Sequence, residues 1–285
     1  MHAYQHTLQR PVQCKGIGLH SGRNVTLTIK PAPVNHGIKF VRMDLAHRPV
    51  ISAHFRNVID TSLATTIGTD GVIVSTIEHL MATFAGLHVD NVLLEMDAYE
   101  APIMDGSAGP FSTMMKEAGI KRQSAKRHYF VVKEPIQMAE NGKKVGLYPS
   151  DVPQVTCTID FDHPLLRNQS YSITLDNGHF EKEISCARTF GFLHEVDYLK
   201  KNGFAKGGSL DNAVVIDKDK ILNPEGLRYS NEPIRHKILD CIGDLSMLGM
   251  PILGHIVAHK SGHAMNHLLL KRFVDQKSCW ETAQA

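Results

Sequence analysis

The order strand, helix, strand, helix runs twice through this 285-residue chain, and no other feature restricts its fold as strongly. In the first half Val25, Leu27 and Ile29 alternate with Thr26 and Thr28, the period of two that marks a strand with one buried face. The β-branched run Val72-Ile-Val74 leads to Ser75, three residues ahead of Glu78, the spacing of a helix capping box. Ile77, Leu80, Met81 and Phe84 then recur at i, i+3, i+4 and i+7 as far as Gly86, which predicts a helix starting near Thr76. Residues 91–96 read as a strand and 102–109 as a glycine-bearing loop. Pro110 opens a second helix with Phe111, Met114, Met115 and Ala118 on one face, stopped by Gly119.

The second half replays this order, with strands at 129–132, 155–161 and 171–175, a helix from about 233 to 248, a strand at 252–258 and a last helix after Gly262. The polar, basic stretch 121–127 between the halves reads as a linker. The expected fold is therefore α+β: two domains of related topology, 1–125 and 126–285, each a sheet with helices on one face, packed helix layer to helix layer in a sandwich. Residues 192–216 add a short helix, ended at Asn202-Gly203, and a strand, and form an insertion in the second domain.

Composition removes several classes of function. Lys+Arg number 31 against 29 Asp+Glu, a net charge of +2, so a chain built to neutralise nucleic-acid phosphates is excluded. No run approaches the ~18 apolar residues of a membrane span. The longest apolar-leaning stretch, 247–258, is broken by Gly249, Pro251, Gly254 and His255. The N-terminal residues lack a basic head followed by an apolar segment, so no secretory signal is expected. Five widely spaced cysteines without a C-x-x-C argue against a disulfide framework and point to a reducing cytoplasm.

On a helical wheel with Ile77 at zero, Glu78 falls near 100° and His79 near 200°, both off the apolar stripe. On the helix from Pro233, Ile234, Ile238, Cys241, Ile242, Leu245 and Leu248 form the stripe, and His236, Lys237, Asp240 and Asp244 lie across from it. His236 and Asp240 are i, i+4 neighbours, close enough for an imidazole and a carboxylate to share one cation, with His79 of the other domain as a third ligand. Two His and one Asp with an open position suit a catalytic zinc, and Glu78 is then placed as general base for its water. The same spacing also fits a helix-surface ion pair, and His263 at a strand-to-helix junction also fits a plain helix cap. H-E-x-x-H is absent.

Ile17-Gly-Leu-His-Ser-Gly22, Ser75-Thr-Ile-Glu-His-Leu80, Pro102-Ile-Met-Asp-Gly-Ser-Ala108, Ala187-Arg-Thr-Phe-Gly-Phe192, Arg235-His-Lys-Ile-Leu-Asp240 with Ile242-Gly-Asp-Leu245, and Lys260-Ser-Gly-His-Ala264 together resemble the UDP-3-O-acyl-N-acetylglucosamine deacetylases, zinc amidases that commit Gram-negative bacteria to lipid A synthesis. The motifs run in family order along nearly the whole chain. The resemblance implies Zn2+ held by His79, His236 and Asp240, Glu78 as general base, His263 as the cationic partner of the leaving amine, Asp244 as the carboxylate that orients it, and Thr189 as donor to the oxyanion. It further implies that Lys237, Lys260 and, less closely matched, Lys143 meet the sugar and diphosphate, that Phe161 stacks on uracil, and that Phe190 and Phe192 line the sugar and acyl entrance. For either phenylalanine alone ordinary core packing remains the other reading.

On the same resemblance the insertion would form the passage for the 3-O-acyl chain, with Val196, Leu199, Phe204, Ala205, Leu210 and Val215 as lining or core residues. The expected reaction is hydrolysis of the N-acetyl group of UDP-3-O-[(3R)-3-hydroxyacyl]-N-acetylglucosamine, by a monomer that touches the inner-membrane surface transiently. A zinc amidase for another acylated sugar nucleotide and a non-catalytic, histidine-rich zinc-binding protein are the alternatives. Ala64 departs from the family pattern where many members carry a cysteine, so weaker inhibition by excess zinc is expected.

Overall fold

The computed structural model describes residues 2–176 and 178–285. Its two halves each hold a five-stranded sheet, and the two sheets have the same topology. The first runs Val12–Ile17, Asn24–Pro31, Val92–Met96, Ile38–Arg42, Val50–Ser52, and the second runs Ile136–Glu140, Lys143–Tyr148, His255–His259, Gln154–Ile159, Gln169–Thr174. In both, a hairpin at each edge flanks a central strand that pairs antiparallel on one side and parallel on the other. Each central strand arrives after a helix has crossed the sheet, the connection a parallel pair requires.

Helices α1 (Glu78–Gly86) and α2 (Gly109–Ala118) belong to the first half, and α4 (Glu232–Ser246) and α5 (His263–Asp275) to the second, with α3 (Leu193–Lys201) in the insertion. The alternation read in Asn24–Pro31 is real: Val25, Leu27 and Ile29 are buried, as are Val155, Cys157 and Ile159 on the matching strand of the second sheet. α4 lies on that second sheet and packs lengthwise on α1, so both helices are enclosed on nearly every side. No helix among the described residues is long and apolar enough to cross a membrane.

Several expectations are corrected. The stretch 121–127 is not a linker: Ile120–Lys126 is a strand paired antiparallel with Tyr4–Leu8, and Arg122 and Lys126 lie over the Tyr4 ring at 3.6 and 4.7 Å. Its basic residues mark an outer strand, where lysines guard against edge pairing. The strand expected at 252–258 is two. Gly254 splits it, sending Ile252–Leu253 to pair with His128–Val132 and His255–His259 into the large sheet; a side chain at 254 would strike Val132 and come within 3.0 Å of the Tyr148 carbonyl.

The first helix starts at Glu78, not near Thr76. Thr76 has a φ of 58° and gives its hydroxyl to Glu100, while Ser75 pairs with Thr66. The capping box is therefore not formed, and Glu78 is free to bond elsewhere. The wheel correctly set Glu78 and His79 off the apolar stripe, but both are buried, because that face meets α4 and not water.

The insertion folds as Phe190–Phe192, α3 and Val214–Asp217, the two strands parallel, with Lys220–Ile221 on the edge. α3 has no buried residue; Phe204 and Leu210 are exposed, and Val196, Leu199, Ala205 and Val215 are half-buried. The segment after α3 docks on the first half: Lys206 and Gly207 give their amides to the His20 and Leu19 carbonyls, and a Cβ at 207 would overlap the Gly18 carbonyl. Glu100 holds the other side of that loop, accepting from the His20 and Ser21 amides at 2.8 and 2.7 Å.

Candidate active site

Where α1 and α4 touch, His79, His236 and Asp240 bring one ligand atom each to within 4.8 Å of one another, and all three residues are buried. The His236 and His79 Nε2 atoms stand 3.3 and 3.8 Å from Asp240 Oδ1. Two of the three are fixed from behind. The Nδ1 of His236 faces the Ala187 carbonyl at 3.0 Å, which selects the tautomer with a proton on Nδ1 and turns the Nε2 lone pair inward. Lys237 donates to Asp240 Oδ2 at 2.8 Å and leaves Oδ1 to the histidines.

Charge follows the same design. Burial, and then His236, pulls His79 down to about 3, so its imidazole is neutral. Burial would favour the acid form of Asp240, but His236 and Lys237 outweigh it and hold the carboxyl well below the usual carboxylate range. Two imidazoles and one carboxylate thus bring ligand atoms to a common point. Such a donor set fits a divalent cation of the zinc type, whose structural rules ask for nitrogen and oxygen ligands in this number when one position stays open.

Glu78 and His263 flank this cluster. Glu78 Oε2 accepts the Thr65 amide at 3.0 Å, and its Oε1 stands 4.0 Å from His263 Nε2. Burial, with Asp240 and Asp244 adding to it against the pull of His263, pushes Glu78 up to about 7. On its other nitrogen His263 meets Asp244, with Nδ1 at 2.8 Å from Oδ2. Burial opposes the imidazolium there, but the Asp244 charge and hydrogen bond, with Glu78 behind, push His263 up to about 9. Two groups of unlike charge, one poised to take a proton and one holding a proton, therefore face each other across a space beside the His79, His236 and Asp240 cluster.

Asp244 is itself held by residues that sequence reasoning missed. Thr65 donates its hydroxyl to Oδ1 at 2.6 Å, and Asn266 its amide to Oδ2 at 2.8 Å. Asn266 follows His263 by one turn of α5, a spacing that sequence could have flagged. Thr65 comes from 179 positions away, and no local pattern announces it.

Thr189 lies in the extended segment between Ala187 and the strand Phe190–Phe192. Its amide bonds the Gly106 carbonyl at 2.7 Å and its carbonyl accepts the Val214 amide at 2.8 Å, so the 102–108 loop of the first half and the insertion both brace it. Next to it, Arg188 is fully buried and binds Glu232 at the start of α4 through its own amide, Nε and Nη2. A buried arginine costs stability unless fully paired, and here the pair locks the Thr189 segment to the start of α4.

Phe190 lies 6.4 Å from the His236 ring, and Phe161 meets Phe190 and Phe192 edge to face at 5.9 and 5.6 Å. The three phenylalanines thus form one half-buried group reaching outward from the cluster. Lys260 ion-pairs with Asp160 at 2.8 Å, one residue from Phe161. The sheet register sets Lys144 opposite His259, so Lys143 stands at the same sheet end as Lys260, exposed. Lys237 is engaged with Asp240, a partner that sequence alone did not suggest. A cavity of about 850 Å3 lies elsewhere, on the opposite faces of α1 and α4 against Met81, Ala85, Ile242 and Leu245, and none of His79, His236 and Asp240 lines it. Size does not locate the chemistry in this chain.

The sequence profile of the UDP-3-O-acyl N-acetylglycosamine deacetylases matches residues 5–275. A Myxococcus xanthus protein named UDP-3-O-acyl-N-acetylglucosamine deacetylase is 49% identical over 281 residues, 99% of this chain and 90% of its own length. Proteins of the same name from Syntrophus aciditrophicus and Saccharophagus degradans are 49% and 48% identical, over 98% and 97% of this chain and 89% and 92% of theirs. With the profile spanning nearly all of the sequence, and relatives this similar across their length, the chain belongs to the UDP-3-O-acyl-N-acetylglucosamine deacetylase family.

Proposed function

We propose that this chain hydrolyses the N-acetyl group of UDP-3-O-[(3R)-3-hydroxyacyl]-N-acetylglucosamine, releasing acetate and the free amine on the route to lipid A, with zinc held by His79, His236 and Asp240. The observation that carries the reading is the convergence of those three lone-pair donors with Glu78 and His263 4.0 Å apart beside them. A binding or sensing protein has no need of a base and an acid so placed.

Zinc, when bound, supplies Lewis acidity, drawing the pKa of a water toward ~7 and polarising the amide carbonyl. Glu78 takes a proton from the attacking water as the oxygen adds to the carbonyl carbon. Thr189 donates to the oxygen that gains charge. His263, kept protonated and oriented by Asp244, gives a proton to the amide nitrogen; the C–N bond breaks, acetate departs and the amine remains on the sugar.

Lys260, Lys143 and Lys237 meet the sugar and diphosphate, Phe161 stacks on the uracil, and Phe190 and Phe192 line the entrance. The insertion offers the acyl chain its apolar path, where exposed Leu193, Phe204 and Leu210 are otherwise unexplained. The two halves act as domains 1–125 and 126–285 in a monomer. Five free cysteines accord with a reducing cytoplasm, and transient contact with the inner-membrane surface suits a substrate that carries a fatty chain.

Glu78→Gln and His263→Ala test the roles directly. Each is expected to lower turnover by about 10²- to 10⁴-fold with bound zinc unchanged. Turnover within about threefold of wild type, under a verified zinc load, would contradict the assignment.

A further inference from the structure

Thr65 is buried, 3% exposed, in the turn of the first half that leads into the strand Thr66–Thr69. Through its main chain and its side chain it hydrogen-bonds the carboxylates on both sides of the site. Its amide donates to Glu78 Oε2 at 3.0 Å, its hydroxyl donates to Asp244 Oδ1 at 2.6 Å, and the same hydroxyl oxygen is 3.4 Å from His263 Nδ1. Its carbonyl accepts from Ile77, the residue before α1, at 3.4 Å.

We propose that Thr65 is a positioning residue that sets the base and the acid of the deacetylation relative to each other. The inference rests on the proposed roles of Glu78 and His263. A carboxylate has about four lone-pair sites, and a free one rotates among partners. At Asp244 the Thr65 hydroxyl occupies Oδ1, while Oδ2 takes the Asn266 amide and faces His263 Nδ1, so the plane of the carboxylate, and with it the imidazole, is determined. At Glu78 the Thr65 amide occupies Oε2 and leaves Oε1 as the oxygen turned toward His263.

Because amide and hydroxyl belong to one residue, the two catalytic groups share a single rigid reference, though one comes from α1 and the other from α4 and α5. The distances required for proton transfer are short, and positioning errors of an ångström are costly. Its hydrogen bonds go to Asp244 and Glu78, so its effect passes through those carboxylates.

Three variants decide the matter. Thr65→Val keeps the shape and the amide but removes the hydroxyl, Thr65→Ser keeps the hydroxyl, and Thr65→Ala removes the hydroxyl in a side chain that fits whatever its neighbours do. Thermal melts and zinc content identify the folded, loaded variants. In these, Val and Ala are expected to lower kcat by about ten- to hundredfold, the span of one hydrogen bond to a charged group, with KM and zinc content unchanged, while Ser retains kcat within about threefold.

The Nδ1–H proton resonance of His263, read in metal-free protein and assigned by its loss in His263→Ala, is expected to move in Val and Ala and to keep its place in Ser. A folded Val or Ala variant with kcat within about threefold of wild type, a loss expressed in KM alone, or a Ser variant as impaired as Val would each overturn the inference. Wild-type activity with an inactive Glu78→Gln control in the same assay shows that such a failure belongs to Thr65; loss of both findings would instead be a failure of the proposed reaction.

Discussion

Gly243 of α4 rests directly on the main chain of Glu78 at the head of α1. A Cβ at 243 would overlap the Glu78 carbonyl and sit 3.1 Å from its Cα, and the next residue along α4 is Asp244. Close backbone contact at this point is what brings one half's base within reach of the other half's acid. Gly243 has helical geometry, so the requirement is space and not a special φ, and any side chain forces the helices apart.

Gly243→Ala is accordingly expected to cost about 1–3 kcal/mol of stability through overpacking, and to lower both zinc affinity and turnover because His79 recedes from His236 and Asp240. Thermal denaturation and bound-metal analysis on the same preparation measure both. A variant with wild-type stability and full zinc would show that the contact can relax without consequence.

The pH dependence follows from opposite demands on two groups. Activity needs Glu78 as carboxylate, which appears as pH rises through about 7, and His263 as imidazolium, which is lost as pH rises through about 9. The kcat/KM profile is expected to be a bell with its plateau between these limbs. A cation on His79, His236 and Asp240 stabilises the neighbouring carboxylate and disfavours the imidazolium, so both limbs of the loaded enzyme lie below these positions. The limbs belong to the coupled pair. Residual activity of Glu78→Gln that keeps the acid limb unchanged would remove Glu78 from the account.

A second pH effect concerns folding and lies away from the site. His88 packs against His2, with ring centroids 4.3 Å apart, and its Nδ1 is 3.3 Å from an Arg127 nitrogen. Burial first, and then Arg127, pulls it down to about 3 from an ordinary 6.5. Above pH 6.5 both folded and unfolded chains carry it neutral, and its contribution to stability is fully present. As pH falls below 6.5 the unfolded chain binds a proton that the folded chain refuses, so stability is lost progressively toward pH 3. Denaturant titrations at about pH 7.5 and pH 5 are expected to show a smaller stability difference in His88→Asn than in wild type, asparagine being chosen because residue 88 has a φ of 57°. Equal differences would mean that His88 titrates alike in both states.

Much of this was legible in the residues, and the exceptions share a physical cause. The alternation at Val25, Leu27 and Ile29 and the i, i+4 pair His236 and Asp240 are local, and local periodicity carries them into the structure intact. The burial of Glu78 and His79 was not legible, since a polar face that meets another helix looks the same in sequence as one that meets water. Ser75 and Glu78 have the spacing of a capping box, but Thr66, at the start of a neighbouring strand, and Thr65 just before it compete for them and win. Lys121 to Arg127 read as a linker because edge strands and linkers draw on the same charged residues. Arg188 with Glu232, and Thr65 with Asp244, are long-range pairs that only the completed fold brings together.

The central claim is that His79, His236 and Asp240 hold a divalent metal on which deacetylation depends. Purified protein should be analysed for bound metal and assayed for acetate release from UDP-3-O-(3-hydroxyacyl)-N-acetylglucosamine as isolated, after chelation, and after zinc is returned. One zinc per chain, with acetate release that disappears on chelation and returns with zinc, is the predicted result. Stoichiometric zinc without acetate release on any acyl length, or release that chelation leaves untouched while the metal is gone, would contradict the account.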